Sequence, residues 1–304
     1  MKLLLCGSFS SQEHAQWRQA LAAELPQAQW LSLDDVRAAP AATQAAVQAA
    51  LVANPPPGSL QGFSALRLIQ SLWAGVDKLL ADPTLPADVP LARMVDPAMN
   101  AAMAETALWA VLMLQRGFHT YAQQQRANVW RTHAQRLATE LRVTVLGQGH
   151  MGSSVQAVLA RQGYAVQSWR RDGAALAPLL ADSDVVVNLL PLTEATRGLL
   201  DADFFAAMPR SSNIVNLARG AHVVDAALLA ALDSGHIAHA VLDVFHTEPL
   251  PPDHRYWKHP SVTVLPHAAA FTDPRTAAAV AAANVRSALA GGEIAHLVDR
   301  QRGY

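Results

Sequence analysis

An arginine, a glutamate and a histidine far apart in the chain each stand just beyond a short apolar run. Arg219 lies in NLARGAHVVD after the run Ile214 to Leu217, Glu248 in LDVFHTEPLP after Val241 to Val244, and His267 in VTVLPHAAAFT after Val262 to Leu265. If those runs are strands of an open α/β sheet, their ends are where the ligand crevice opens. The three side chains answer the needs of reducing a carbonyl acid. A guanidinium grips a carboxylate and the carbonyl oxygen together and polarises the latter. A charged imidazole protonates that oxygen as hydride reaches the C2 carbon, and a carboxylate orients the imidazole and stabilises its charged form. Taken singly, each residue has a plainer reading as a surface, capping or packed side chain. Their occurrence together with a cofactor turn is what gives the set weight.

The cofactor turn is TVLGQGHMGSSV, which places Gly147, Gly149 and Gly152 in G-x-G-x-x-G spacing after a strand and before a helix. In such a turn the first glycine permits the tight bend, the second lets backbone amides, here with those of His150 and Met151, approach a pyrophosphate, and the third lets the helix pack on its strand. The choice of dinucleotide is made at the end of the next strand, AVQSW. Arg170 and Arg171 stand there, and two guanidiniums pair with a 2'-phosphate where an acidic residue would have accepted the ribose hydroxyls of NAD. The expected cofactor is therefore NADPH (NADP+), with NADH as the weaker alternative. Asp172 follows directly and argues the other way, and a solvated edge is the plainer reading of the arginine pair.

Strand-like and helix-like runs alternate over nearly the whole chain, which predicts an α/β fold with parallel sheets. The 304 residues suit two domains better than one. Leu3 to Cys6 reads as a strand, and Ser10 with Glu13 forms a capping box for a helix running to about Leu25. Trp30 to Leu33, Leu66 to Leu72 and Val89 to Val95 extend the pattern, and Pro55 to Gly58 break it as a loop. The apolar stretch from Asn100 to Arg116 predicts a helix buried between layers. Beyond it come strands at Val143 to Leu146, Val166 to Trp169 and Val185 to Leu189, with a helix over Gly149 to Gln162. After Pro274 an alanine-rich helix to about Leu289 has no strand to follow and most simply packs back on the first domain.

With 51% hydrophobic and 15% charged residues, the chain can offset the entropy cost of folding, and long disorder is not expected. Its formal net charge of -1, with scattered lysines and arginines, supplies no footprint for nucleic acid or an anionic membrane. The apolar start at Met1 to Gly7 is too short for a signal peptide, and no later stretch is uninterruptedly apolar for the roughly 18 residues a spanning helix needs. A cytoplasmic protein is expected. The single cysteine, Cys6, fits a reducing compartment. Twelve histidines raise the question of a metal, but none has the paired spacing with a carboxylate or cysteine that a zinc site shows, so no metal is expected.

The motifs LGQGHMGS, NLLPLTEATRGLL, NLARGAHVVDAALLAALDSG, LDVFHTEPLPP and LPHAAAFT, with the tail VDRQRGY, resemble those of the D-2-hydroxyacid dehydrogenase family and within it the glyoxylate/hydroxypyruvate reductase A subgroup. The resemblance spans essentially the whole chain and is most specific over Val143 to Thr272. It implies a Rossmann-type nucleotide-binding domain over residues 99–273 and a smaller flavodoxin-like α/β substrate domain over residues 1–98, rejoined by residues 274–304. It implies Arg219, Glu248 and His267 as the catalytic set. By the same resemblance, Trp73, Ala74, Gly75 and Val76 in LWAGVDKL bind substrate, with backbone amides of Ala74, Gly75 and Val76 on its carboxylate. Trp73 replaces the small residue of many relatives and would reshape the pocket. Leu190, Pro191 and Ala218 would line the cofactor cleft beside His267, Asp243 would hold the nicotinamide amide, and the protein would be a homodimer. The implied activity is NADPH-dependent reduction of a small 2-oxoacid such as glyoxylate or hydroxypyruvate to the D-2-hydroxyacid. Two alternatives stand beside it: an NADP(H)-sensing module without turnover, and the same chemistry on a larger 2-oxoacid with NADH.

Overall fold

Runs of Leu, Val and Ala that are apolar at successive positions, rather than alternating, belong in strands buried on both faces, the situation of a parallel sheet. The computed structural model describes residues 1–304 except Asp172 and Ala174. It divides the chain into two compact units, Met1–Met99 with Thr272–Tyr304, and Asn100–Phe271.

The first unit runs β1 (Lys2–Gly7), α1 (Ser11–Glu24), β2 (Gln29–Leu31), α2 (Leu33–Ala38), α3 (Ala41–Ala45), β3 (Val47–Ala53), β4 (Leu68–Ser71), α4 (Asp77–Leu80) and β5 (Leu91–Ala92). Its strands pair in the order β2-β1-β3-β4-β5, all parallel, the flavodoxin-like arrangement. Helix α1 starts as expected, with Glu13 N–H donating to Ser10 Oγ and Ser10 N–H to Glu13 Oε2. The expected strand through Leu33 stops two residues short, because Ser32 and Asp35 form a second capping box that starts α2 at Leu33. Burial pushes the Cys6 thiol up to about 12, which leaves it protonated and unreactive. The C-terminal helix Pro274–Ala290 begins after the N-cap Asp273 and lies against α1, β3 and β4. Its inward face is mostly alanine, and Asn284 ties it to the sheet by donating to Gln70 Oε1 at 2.8 Å.

The connecting helix α5 (Pro97–Gln115) has the length and mean hydropathy, 1.2, of a membrane span. Its apolar residues Met103, Ala107, Ala110, Val111 and Leu114 instead belong to the core of the second unit, so packing accounts for its composition. That unit continues through α6 (Phe118–Arg126), β6 (Arg142–Leu146), α7 (His150–Arg161), β7 (Ala165–Trp169), α8 (Leu176–Ala181), β8 (Val185–Asn188), α9 (Ala202–Ala207), β9 (Ser212–Asn216), α10 (Asp225–Asp233), β10 (Ile237–Leu242) and β11 (Val262–Val264). The parallel sheet has the order β7-β6-β8-β9-β10-β11. Val143, Val145, Val185, Val187, Val215 and Val241 are fully buried along it, each stabilising the unit by about 1.5–3 kcal/mol. From β6 the chain steps out to β7 and then returns to the other side of β6 as β8. The strand order therefore reverses between β6 and β8, and a Rossmann-type sheet binds its ligand at the carboxyl ends of strands at such a point.

Candidate active site

At the end of β6 the chain turns at Gly147, whose φ of 108° is open to glycine and strained for other residues. A Cβ there would also stand 2.8 Å from the Leu189 carbonyl oxygen beyond β8. At Gly152, in the first turn of α7, a Cβ would fall 2.0 Å from the Gly147 oxygen, so the helix can seat on the turn only without a side chain. Gly149 differs: it is the N-cap of α7, no side chain caps the helix, and nothing lies within 4 Å of where its Cβ would be. A helix start with no side-chain cap and open space beside Gly149, with the positive end of the helix dipole behind it, suits a pyrophosphate. His150 is exposed, while Met151 packs its side chain into the core and leaves its backbone in the first turn. Register pairing of Leu146 with Trp169 puts the end of β7 beside this turn, and Arg170 and Arg171 follow there, both exposed. These residues fit a dinucleotide carrying a 2'-phosphate. Asp172, the residue that argued for caution, lies outside the described residues.

The ends of β8 and β9 carry the next group. Leu190 is buried in the core, and Pro191 is partly buried. Ala218 is buried, and Arg219 is partly buried in extended backbone, with Nη1 donating to the Ala218 oxygen at 2.8 Å.

Beyond β10 and β11 the chain builds a clamp. Asp243 is 1% exposed; its backbone oxygen accepts from His267 N–H at 2.9 Å, Oδ1 from Ala268 N–H at 2.7 Å, and Oδ2 from Ala269 N–H at 3.0 Å. Burial raises the pKa of this carboxyl above its ordinary value, against the lowering pull of those two amides. Three consecutive amides on one side chain and its own carbonyl hold His267 at φ 54°, a left-handed conformation costing about 1–2 kcal/mol for a residue with a Cβ. From that position His267 Nδ1–H donates to Glu248 Oε2 at 2.7 Å, and Phe245 N–H donates to Oε1 at 2.9 Å. Burial acts to raise the Glu248 pKa, but those hydrogen bonds and the charges of His267 and Arg219 outweigh it and hold the carboxyl below its ordinary value. Arg219, Glu248 and His267 thus share one electrostatic cluster at the ends of neighbouring strands.

Residues 108–269 match the family described as D-isomer specific 2-hydroxyacid dehydrogenase, NAD binding domain. The chain belongs to this family. It is 37% identical over 312 residues to a glyoxylate/hydroxypyruvate reductase A from Yersinia enterocolitica, covering 96% of this chain and 97% of that protein. Among solved structures it resembles a D-isomer specific 2-hydroxyacid dehydrogenase from Xanthobacter autotrophicus in complex with NADPH and MES. The TM-score is 0.92 at 39% identity, covering 100% and 99% of the two chains. An NADPH-dependent glyoxylate/hydroxypyruvate reductase from Sinorhizobium meliloti in complex with NADP and sulfate aligns with a TM-score of 0.90 at 31% identity, again covering 100% and 99%.

For a member of this family the remaining expected residues fall as follows. Trp73, Ala74, Gly75 and Val76 occupy the turn between β4 and α4 of the first unit, at the carboxyl edge of its sheet. Trp73 is held by Ser71 Oγ, which accepts its N–H and donates to its oxygen, and its indole meets the rings of Phe9 and Trp17 edge-on. The histidines weighed as metal ligands have other partners. His246 and His254 approach Asp225, His259 approaches Asp233, and His236 reaches the Phe205 and Met208 oxygens. Among the described residues no group of three or more His, Cys, Asp or Glu could hold a metal ion. A surface cleft of about 460 Å³, lined by Asp233, Asp253, Arg255, Lys258 and His259 among others, contains none of the expected site residues.

Reasoning from sequence missed four residues. Gly220 follows Arg219 with no room for a Cβ, which would fall 2.0 Å from the Phe245 backbone carbon; this close approach joins the arginine loop to the loop that holds Glu248. Asn188, Asn216 and His222 are buried polar residues behind the same loops. Their signal was their place in NLLPLT and NLARGAH: Asn188 and Asn216 each end a strand after apolar residues and His222 follows in the next turn, and a buried polar side chain is costly unless paired.

Proposed function

We infer that this chain is an NADPH-dependent reductase of small 2-oxoacids such as glyoxylate or hydroxypyruvate, producing the D-2-hydroxyacid. One observation carries the reading of the site. His267 Nδ1 is committed to Glu248 Oε2 at 2.7 Å beside Arg219, on the sheet whose first crossover begins with the glycine turn. The relatives solved with NADPH or NADP support the choice of dinucleotide.

When bound, the dinucleotide supplies the hydride that reduces C2. Its phosphates are assigned to the turn of Gly147, Gly149, His150, Met151 and Gly152, and its 2'-phosphate to Arg170 and Arg171. Arg219 holds the substrate's carboxylate and polarises its carbonyl oxygen. Because Nδ1 donates to Glu248, Nε2 is the nitrogen that holds the transferable proton and delivers it to that oxygen. Glu248 fixes the ring plane and balances the imidazolium before transfer, and the Asp243 clamp fixes where the ring stands. We assign the nucleotide-binding role to the second unit. The substrate-domain role goes to the first, with Trp73, Ala74, Gly75 and Val76 as its binding residues. A homodimer is also proposed. Trp130 is 100% exposed, and Trp109, Phe118, Val129 and Leu137 in the same stretch of the second unit are exposed as well. So much apolar surface on one segment marks a contact that a second copy would cover.

The test is steady-state oxidation of NADPH, with NADH in parallel, in the presence of glyoxylate, hydroxypyruvate, pyruvate and phenylpyruvate. Fast NADPH turnover with glyoxylate and hydroxypyruvate is expected. Cofactor binding with no turnover would replace this reading by a sensing role, and turnover with phenylpyruvate alone would move the substrate.

A further inference from the structure

We propose that Asn188, Asn216 and His222 are positioning residues: Asn216 sets Arg219 for the substrate, His222 sets Pro191 for the cofactor, and Asn188 joins the two. The proposal rests on the reading of Arg219 as substrate anchor and of Pro191 as cofactor lining.

Sheet register places Asn188 and Asn216 side by side as the last residues of the adjacent parallel strands β8 and β9. His222 closes the short turn that follows Arg219. All three are 0% exposed, so water cannot satisfy their polar atoms. The amide of Asn188 donates both hydrogens, one to Asn216 Oδ1 at 3.0 Å and one to His222 Nδ1 at 3.1 Å. That makes Nδ1 an acceptor, which places the ring proton on Nε2, and Nε2–H then donates to the Pro191 oxygen at 3.3 Å. Asn188 Oδ1 accepts from Leu190 N–H at 3.2 Å. Asn216 Oδ1 also accepts from Ala218 N–H at 3.2 Å, and its Nδ2 donates to the Arg219 oxygen at 3.0 Å.

The direction of every bond is determined by its neighbours. Flipping the Asn216 amide would point its NH2 at two donors, Asn188 Nδ2 and Ala218 N–H, and turn its oxygen against the Arg219 carbonyl. Protonating His222 on Nδ1 would oppose the Asn188 amide. The trio therefore has one arrangement, and these bonds end on backbone groups of residues 190, 191, 218 and 219, the two loops assigned to cofactor and substrate. A set meant only to cap strands has no reason to join those loops, whereas hydride transfer needs them fixed relative to each other within a fraction of an ångström.

The arms of the network separate experimentally. Asn216→Asp keeps the shape but replaces the donor to the Arg219 oxygen with a carboxylate oxygen. It is expected to lower kcat/KM for glyoxylate by about tenfold or more, mainly through KM, while the Kd for NADPH stays within about twofold. His222→Leu removes the bond to Pro191 and is expected to raise the NADPH Kd by about fivefold or more. His222→Gln can still donate to that oxygen and is expected to recover most of the affinity. Should Asn216→Asp fail to fold, Asn216→Ser tests the same arm. Unchanged constants, or a loss that follows only the fraction of folded protein with KM and Kd intact, would overturn the proposal. If the unaltered protein turns over no 2-oxoacid, the substrate reading of Arg219 fails instead, and NADPH binding by the His222 variants still decides the cofactor arm.

Discussion

Glu248→Gln is the substitution that weighs the proposed acid most directly. The replacement has the same shape, but it offers one acceptor where the carboxylate offers two, to His267 Nδ1 at 2.7 Å and to Phe245 N–H at 2.9 Å. One of the two partners must then face an NH2 group, and the charge that balances the imidazolium is gone. A hydrogen bond to a charged group is worth about 1.5–3 kcal/mol. The side chains of His267 and Glu248 are 51% and 35% exposed, and solvent screening at such exposure reduces the effect to about 1–2 kcal/mol. That corresponds to a fall of about 5- to 30-fold in kcat/KM. The assay is NADPH oxidation with glyoxylate under first-order conditions, accompanied by NADPH titration and thermal unfolding of the variant. The Kd for NADPH should stay within about twofold, since no cofactor contact is removed. His267→Ala sets the scale by removing the acid itself, with an expected loss of about 10²- to 10⁴-fold and NADPH binding retained. A Glu248→Gln enzyme with unchanged kcat/KM, or one whose loss is explained by NADPH affinity, would refute the pairing as the source of the acid's competence.

Neutral replacement of Arg170 and Arg171 together should weaken NADPH while sparing NADH, and an unchanged ratio of the two in kcat/KM would end the phosphate-pairing assignment. Gly149→Ala and Gly152→Ala should differ in their effect on stability. The first meets open space and should leave Tm unaltered while raising the NADPH Kd, whereas the second collides with the Gly147 oxygen and should lower Tm as well; equal effects would contradict the division of roles between the glycines. His239, 2% exposed on β10, has its pKa lowered by burial, and secondarily by His119 and His259, to about 3. The unfolded chain therefore takes up this proton first, and stability should fall as pH drops from about 6.5 towards 3, by up to about 1.4 kcal/mol per pH unit from this group. Urea unfolding at several pH values should show a shallower slope for His239→Gln, and an identical slope would exclude the group. Trp130→Glu should shift the protein towards the monomer in sedimentation velocity, and an unaltered distribution would remove this segment from the proposed interface.

Features that depend on neighbours in sequence were legible without coordinates. The Ser10–Glu13 box, the glycine turn between β6 and α7, and the strands that end before Arg219, Glu248 and His267 are each written in a few consecutive residues, because turns, caps and hydrophobic runs answer to local sterics and hydrogen bonding. Strand β3 was not legible. VQAALVA lies within an alanine-rich stretch whose local preference is helical, and only pairing with β1 and β4 on either side makes it the middle of a sheet. Burial of α5 was legible from its apolar composition, but that it joins the core of the second unit was likewise settled by what packs against it. At the site, residue types and spacing pointed to an arginine, a glutamate and a histidine. They did not reveal that Asp243 clamps three amides of the His267 loop, that Gly220 must lack a side chain, or that Asn188, Asn216 and His222 bind two loops together. Those contacts join residues tens of positions apart, and their strength comes from burial that excludes competing water, a condition set only once the sheet has closed over them.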